Sequence, residues 1–94
     1  MADQTAIKAQ HATLSSTTAD KITFSGRGDW INVLNHSTTN LLTVVIGGTT
    51  APTALQDDSY VVPTNGSLLV PYVGGAPLVV HVVGDGNQYS VQLI

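Results

Sequence analysis

The sequence predicts an all-β protein, a small antiparallel β-sandwich or barrel of about eight short strands. Three observations predict this class. Short runs rich in β-branched residues recur along the chain, clusters of Gly, Ser, Thr, Asn and Asp separate them, and no stretch has the apolar period of a long helix. A chain of 94 residues is the size of one domain. We therefore expect a single β domain over residues 11–94, preceded by a flexible N-terminal arm over residues 1–10 that orders on binding.

The predicted strands are apolar-rich runs bounded by turn residues: His11–Ser15, Lys21–Ser25, Trp30–His36, Leu41–Ile46, Tyr60–Val62, Ser67–Tyr72, Leu78–Val83 and Gln88–Leu93. Most of them alternate apolar and polar residues, which predicts one buried and one wet face. The runs Leu41–Ile46 and Leu78–Val83 are instead apolar on both faces, apart from Thr43 and His81. Such a strand is either central in a packed sandwich or covered by a second molecule.

Two further segments could be helical, the first as a short helix and the second as a single turn. They are Asp3–Gln10, with Asp3 as its N-cap, and Thr53–Ser59. Both are too short to be stable as isolated helices. The segment Gly84-Asp85-Gly86-Asn87 has the composition of a hairpin turn with positive φ angles.

The small number of charged residues limits the classes of partner that the protein can bind. Hydrophobic residues make up 43% of the chain and charged residues 10%, against roughly 25% charged in an average domain. The formal net charge is −3, and the three basic residues, Lys8, Lys21 and Arg27, are scattered. We expect neither nucleic acid nor an anionic membrane as a partner, because both require clustered cations. The low charge instead favours a protein that covers part of its surface with a partner or with copies of itself.

The chain contains no cysteine, so disulfides and thiol chemistry are excluded. Residues 1–10 have no apolar stretch typical of a signal peptide, and no apolar run approaches the roughly 18 residues of a membrane span. The absence of cysteine is typical of folding in a reducing cytoplasm, or of stabilisation by assembly in place of disulfides.

Three motifs could carry binding chemistry. Arg27-Gly28-Asp29 matches the integrin-recognition tripeptide, although a tight turn over these glycines, with Asp29 bonding its own backbone, explains it more simply. The three histidines fall on different predicted strands without the close spacing of zinc ligands, so no metal site is predicted: His11, His36 and His81. Carboxylates for Ca²⁺ could come from two loops, but none has EF-hand spacing: Asp57, Asp58 and Asp85.

Catalytic motifs are missing from the sequence. There is no nucleophile elbow, and the chain has no glutamate to pair with an aspartate in glycoside hydrolysis. The glycine pairs Gly47-Gly48 and Gly74-Gly75 precede no predicted helix, so they are not phosphate-binding loops. We expect a non-enzymatic protein with no catalytic residues and no cofactor.

The order of turn and strand motifs resembles a known group of proteins. A Thr/Ser-rich first hairpin, "ATLSSTTADKITFSG", is followed by a strand end of the form V-x-N-x-S/T-T at Val33. A loop of the form T-x-P-T…D-D-S-Y-V-V-P…G-S-L-x-V-P and a closing Y-S-V strand complete the set. Over Ala12 to Leu93 the chain resembles small β-rich virion proteins of tailed bacteriophages, some of which are capsid decoration (cement) proteins.

The resemblance implies a structural protein that binds the major capsid protein on the outer capsid surface and braces it, with a trimer as the favoured oligomer. The virion would then be its location, after synthesis in the host cytoplasm. For self-association we expect residues of the two doubly apolar strands together with one aromatic: Leu41, Val45, Val79, Val83 and Trp30. For the capsid contact we expect Ile7 and Lys8 of the arm.

Three alternatives stay open at this stage. A phage tail or fibre subunit would have the same composition. A carbohydrate-binding β-sandwich module would need exposed aromatics in a row, whereas the larger aromatics fall on separate predicted strands: Trp30, Tyr60, Tyr72 and Tyr89. An adhesin would use Arg27-Gly28-Asp29.

Overall fold

The computed structural model describes residues 2–48, 59–72 and 77–94. These residues form a β-sandwich, which confirms the all-β prediction and decides for two sheets over a closed barrel. The described strands are β1 (Ala2–Ala6), β2 (Ala9–Thr13), β3 (Asp20–Phe24), β4 (Trp30–Asn35), β5 (Leu42–Ile46), β6 (Ser59–Val62), β7 (Ser67–Pro71), β8 (Leu78–Val83) and β9 (Gln88–Leu93). Each of the eight predicted strands is present, and no end differs from its predicted position by more than two residues.

One sheet has five strands in the order β1-β3-β8-β5-β6, and the other has four in the order β2-β9-β4-β7. All neighbouring pairs are antiparallel except β1 and β3, which are parallel. The chain passes from one sheet to the other at both sides of the sandwich, through the edge strands β1 and β2 and through β6 and β7.

The core lies between the two sheets. Successive side chains along a strand point to opposite faces of the sheet, so every second residue of a strand points into the core. Fully buried members come from both sheets: Ile22, Phe24, Ile31, Val33, Leu42, Val44, Val62, Val80, Val82, Tyr89 and Val91. A polar contact joins the sheets within the buried region, because the Tyr89 hydroxyl donates to a carboxylate oxygen of Asp20 at 2.7 Å.

The N-terminal residues belong to the sandwich, which differs from the predicted arm over residues 1–10 and from the predicted short helix. Ala2–Ala6 pairs with β3, and Ala9–Thr13 pairs with β9. The physical reason is that β3 and β9 would otherwise be edge strands with unpaired N–H and C=O groups, and pairing satisfies them whatever the side chains are.

The turn at Gly84–Asn87 is not a hairpin, because β8 and β9 lie in different sheets. Its predicted positive φ is present at Gly86, where φ is 69°. Two buried amides hold this turn against its neighbours. Asn87 Nδ2 donates to Asn35 Oδ1 at 3.0 Å and to the Asn40 carbonyl at 2.9 Å. Asn35 Nδ2 donates to the carbonyls of Asn40 and Val62 at 2.9 and 3.2 Å, so three connections are joined at one end of the sandwich.

Some predicted features lie wholly or partly outside the described residues: the helical turn at Thr53–Ser59, the carboxylates Asp57 and Asp58, and Gly74-Gly75. Within the described ranges, no helix has the length and apolarity needed to cross a membrane.

Candidate functional site

The outer face of the four-stranded sheet carries the candidate functional residues. Strand register arranges its side chains in rows that run across the strands. One row places Trp30 opposite Pro71, and the next places Asn32 opposite Gln92 and Leu69. The third places Ser90 between His11 and Leu34. The face is thus apolar at the end that carries Trp30 and Pro71, and it becomes polar toward the row that carries His11 and Ser90.

The apolar end is a set of exposed side chains at or beside the first row, with Leu69 added from the second. We call this set the apolar row: Ile7, Trp30, Leu69, Pro71 and Ile94. Ile7 is 72% exposed, Ile94 58% and Trp30 43%. Large apolar side chains that remain this exposed beside one another are typical of protein interaction surfaces, whereas scattered ones are normal.

Backbone hydrogen bonds bring these distant parts of the sequence together. Trp30 N–H donates to the Ile94 carbonyl at 3.0 Å, and Ile94 N–H returns a bond of 3.0 Å to Trp30. Leu93 N–H donates to the Lys8 carbonyl at 2.7 Å, which holds the connection between β1 and β2 at the end of β9. Gly26 N–H donates to the Ile7 carbonyl at 2.8 Å. The predicted capsid residues Ile7 and Lys8 and the predicted self-association residue Trp30 therefore lie on one surface.

The Arg27-Gly28-Asp29 segment flanks the apolar row. Arg27 and Asp29 are exposed. The backbone of Asp29 is fixed by its N–H, which donates to the Ile94 carbonyl at 2.8 Å, and by its carbonyl, which accepts from Tyr72 N–H at 2.8 Å. The segment therefore forms a short link between the sheets that packs on the end of β9 and supplies charged groups beside an apolar surface.

The outer face of the five-stranded sheet carries the other four residues predicted for self-association. Val45 and Val83 are only 5% and 8% exposed, so they have little area to offer a second molecule. Val79 is half-buried, and Leu41, just before β5, is exposed. Val45 and Val83 are thus already buried within a single copy of the chain, on the face turned away from the core between the sheets.

His81 lies on the same covered face and is fully buried. Its Nε2 is 3.4 Å from the Gly48 carbonyl oxygen, at the limit of a hydrogen bond. Among the residues that the structure describes, no atom bonds to its Nδ1. His81 is thus a buried imidazole apart from the other two histidines.

The structure brings His11 and His36 together around one serine. His11 Nδ1 lies 2.7 Å from Ser90 Oγ, and His36 Nε2 lies 2.9 Å from the same oxygen. Ser90 is buried, whereas both imidazoles are exposed. Since the hydroxyl has one proton, Ser90 donates to one ring nitrogen and accepts from the other when both rings are neutral.

This cluster has the polar groups of a nucleophile and a base, but its setting does not fit acyl transfer. Ser90 is in an interior strand that pairs with β2 and β4, so the neighbouring backbone N–H groups are committed to the ladders. Preorganised donors for a developing oxyanion are the second requirement of that chemistry. Among the described residues, no group of three His, Cys, Asp or Glu side chains is placed to hold a metal ion.

The aromatic side chains do not line up. Tyr89 is in the core, Tyr72 is half-buried, and Tyr60 is exposed on β6 of the other sheet. Among the described aromatics, Trp30 is therefore the one that the outer face of the four-stranded sheet presents.

Sequence reasoning missed Leu69, Pro71 and Ile94 as members of the exposed surface, and it missed the meeting of His11 with His36. Alternation in β7 and β9 would have assigned Leu69 and Ile94 to an outer face. Nothing in the sequence of these strands indicates that β2 and β4 are the two neighbours of β9, and this strand order is what brings the two histidines together.

Comparison with known proteins adds no identification: no protein-family model, no curated protein and no solved structure matches this chain.

Proposed function

We propose that this chain is a non-enzymatic structural protein that binds the outer surface of a tailed-bacteriophage capsid and stabilises it, as a homotrimer. The observation that carries the proposal is the apolar row, which joins Ile7, Trp30 and Ile94 on one exposed surface. The resemblance of the turn and strand motifs to phage decoration proteins supplies the partner.

The row has the make-up of a docking surface. Its centre holds a tryptophan, a residue enriched among interface hot spots, and its margin holds Lys8, Arg27 and Asp29. An apolar centre with a charged margin gains free energy mainly from burying area, while the margin selects the orientation. We assign the capsid contact to this surface.

In this proposal, the contacts between copies of the chain are made by a different surface, on the five-stranded sheet. Of the four strand residues predicted for self-association, Leu41 and Val79 keep accessible area. Exposed Val61 lies on β6 of the same sheet, where its neighbour in the β-ladder is Thr43. We assign the trimer contact to this side of the five-stranded sheet.

The first test is the abundance of the chain in purified particles from its source, by quantitative mass spectrometry against the most abundant shell protein. A molar ratio near one to one is expected for a protein that covers the whole capsid. A few copies per particle would replace the proposal with a tail, fibre or vertex protein. Complete absence would overturn it and leave the carbohydrate-binding module, for which a glycan array with the Trp30→Ala variant is the direct measurement.

The second test uses variants that leave the strands intact. Ile7→Ser combined with Trp30→Ala should abolish co-sedimentation with shells that lack the protein, because the apolar area of the row is lost. Thr17→Ala is the control, since Thr17 is exposed in the connection between β2 and β3, outside both proposed surfaces, and this variant should keep capsid binding. Deleting residues 1–10 is unsuitable, because it removes β1 and part of β2.

A further inference from the structure

We propose that His11, His36 and Ser90 form a binding site for a divalent transition-metal ion of the zinc, nickel and copper class. The site is independent of the apolar row. It is open to solvent and supplies two imidazole nitrogens to the ion, with water at the remaining positions.

The two nitrogens converge. Both point at Ser90 Oγ, at 2.7 and 2.9 Å, which by ordinary hydrogen-bond geometry separates them by roughly 4–5 Å. Two imidazoles on a tetrahedral zinc ion, each about 2.0–2.1 Å from the metal, have nitrogens roughly 3.3 Å apart. A closing movement of about 1 Å reaches that separation. Because Ser90 Oγ occupies the point at which both nitrogens are aimed, the exposed imidazoles also have to rotate away from the hydroxyl to admit the ion.

The backbone of both histidines is already fixed, so little order has to be gained on binding. His11 is paired with Ser90 in the ladder of β2 and β9. His36 follows β4, and its N–H donates to the Gln88 carbonyl at 2.9 Å. Ligands held on paired strands lose less conformational entropy than ligands on loops.

The two imidazole nitrogens determine which metal ions the site prefers. Zn²⁺, Ni²⁺ and Cu²⁺ accept neutral imidazole readily, while Ca²⁺ and Mg²⁺ prefer oxygen ligands. Affinity should follow the usual order, with Cu²⁺ bound more tightly than Ni²⁺ or Zn²⁺. Because both nitrogens then bind the ion, Ser90 Oγ is released from both imidazoles and is placed to bond a metal-bound water and orient it.

The test is isothermal titration of the full, tag-free chain with zinc chloride and with copper sulfate, at neutral pH. We expect one ion per chain and tighter binding of copper. Electron paramagnetic resonance of the copper-loaded chain should show coupling to two nitrogen nuclei. His11→Ala and His36→Ala should each weaken binding by at least about tenfold, since loss of even an outer partner of a metal ligand costs that much.

Thr13→Ala is the control, because Thr13 is an exposed neighbour on the same face of β2 and carries no metal-binding nitrogen. Its affinity for both ions should equal that of the unmodified chain. Circular dichroism of each variant checks that the fold is kept. The proposal is overturned if zinc and copper do not bind at millimolar concentration, or if either histidine variant binds both ions as tightly as the unmodified chain.

Discussion

Tyr89 and Asp20 make a hydrogen bond across the buried region of the sandwich, and this contact gives the protein a predictable response to alkali. Burial raises the pKa of Tyr89 far above its ordinary value of 10.0, and the bond to Asp20 and the negative charge of Asp20 raise it further. Below pH 10 the folded and unfolded chains both carry a neutral Tyr89. Above it, the unfolded chain loses the proton and the folded chain keeps it, so the stabilising contribution is lost as pH rises.

We expect the free energy of unfolding to fall above pH 10 by up to about 1.4 kcal/mol per pH unit from this group. Urea titrations between neutral pH and pH 11 would measure the fall. Tyr89→Phe should flatten it, while costing about 1–3 kcal/mol at neutral pH because Asp20 loses its donor. Tyr60→Phe, at an exposed tyrosine, serves as the control. An equally steep alkaline decline in Tyr89→Phe would show that another group causes it.

At the element scale, the connection between β1 and β2 is packed against the turn after β3, and a glycine makes the approach possible. A Cβ at Gly26 would lie 2.5 Å from the Ile7 carbonyl oxygen and 2.8 Å from Lys8 Cγ. Gly26→Ala should therefore displace the backbone at Ile7 and reduce the free energy of unfolding by about 1–3 kcal/mol. Chemical denaturation measures this, with Thr17→Ala, at an exposed residue of the connection between β2 and β3, as reference. Equal stability of the two variants would mean that the connection is loosely held.

Strand existence could be predicted from the sequence because each apolar run is bounded by turn residues. Strand β1 was missed because Ala2–Ala6 has no apolar alternation, and its pairing depends on the backbone of β3. The turn at Gly84–Asn87 was predicted only in part for the same reason. Its composition predicted the positive φ at Gly86, but it did not indicate which of the two sheets contains β9. The histidine pair depends on that assignment too, because only the register of β2, β9 and β4 places His11 and His36 at Ser90.

At the scale of the whole molecule, few charges and two differently exposed faces determine how the sandwich can associate. Charged residues make up 10% of the chain, and the exposed apolar side chains gather at the apolar row and near Leu41 and Val61. Association through such surfaces buries apolar area, a contribution that salt does not screen. A contact made mainly by ion pairs would instead weaken as salt is added.

If the apolar row makes the proposed capsid contact, binding to shells should therefore change little between about 0.05 M and about 1 M NaCl, a range over which the Debye length falls from more than 10 Å to about 3 Å. Co-sedimentation at each salt concentration measures it. Lys8→Gln should have a small effect, since an exposed ion pair contributes at most about 1 kcal/mol, whereas Trp30→Ala should weaken binding at every salt concentration. Release of the chain by salt, with loss of binding in Lys8→Gln, would move the contact from the apolar row to its charged margin.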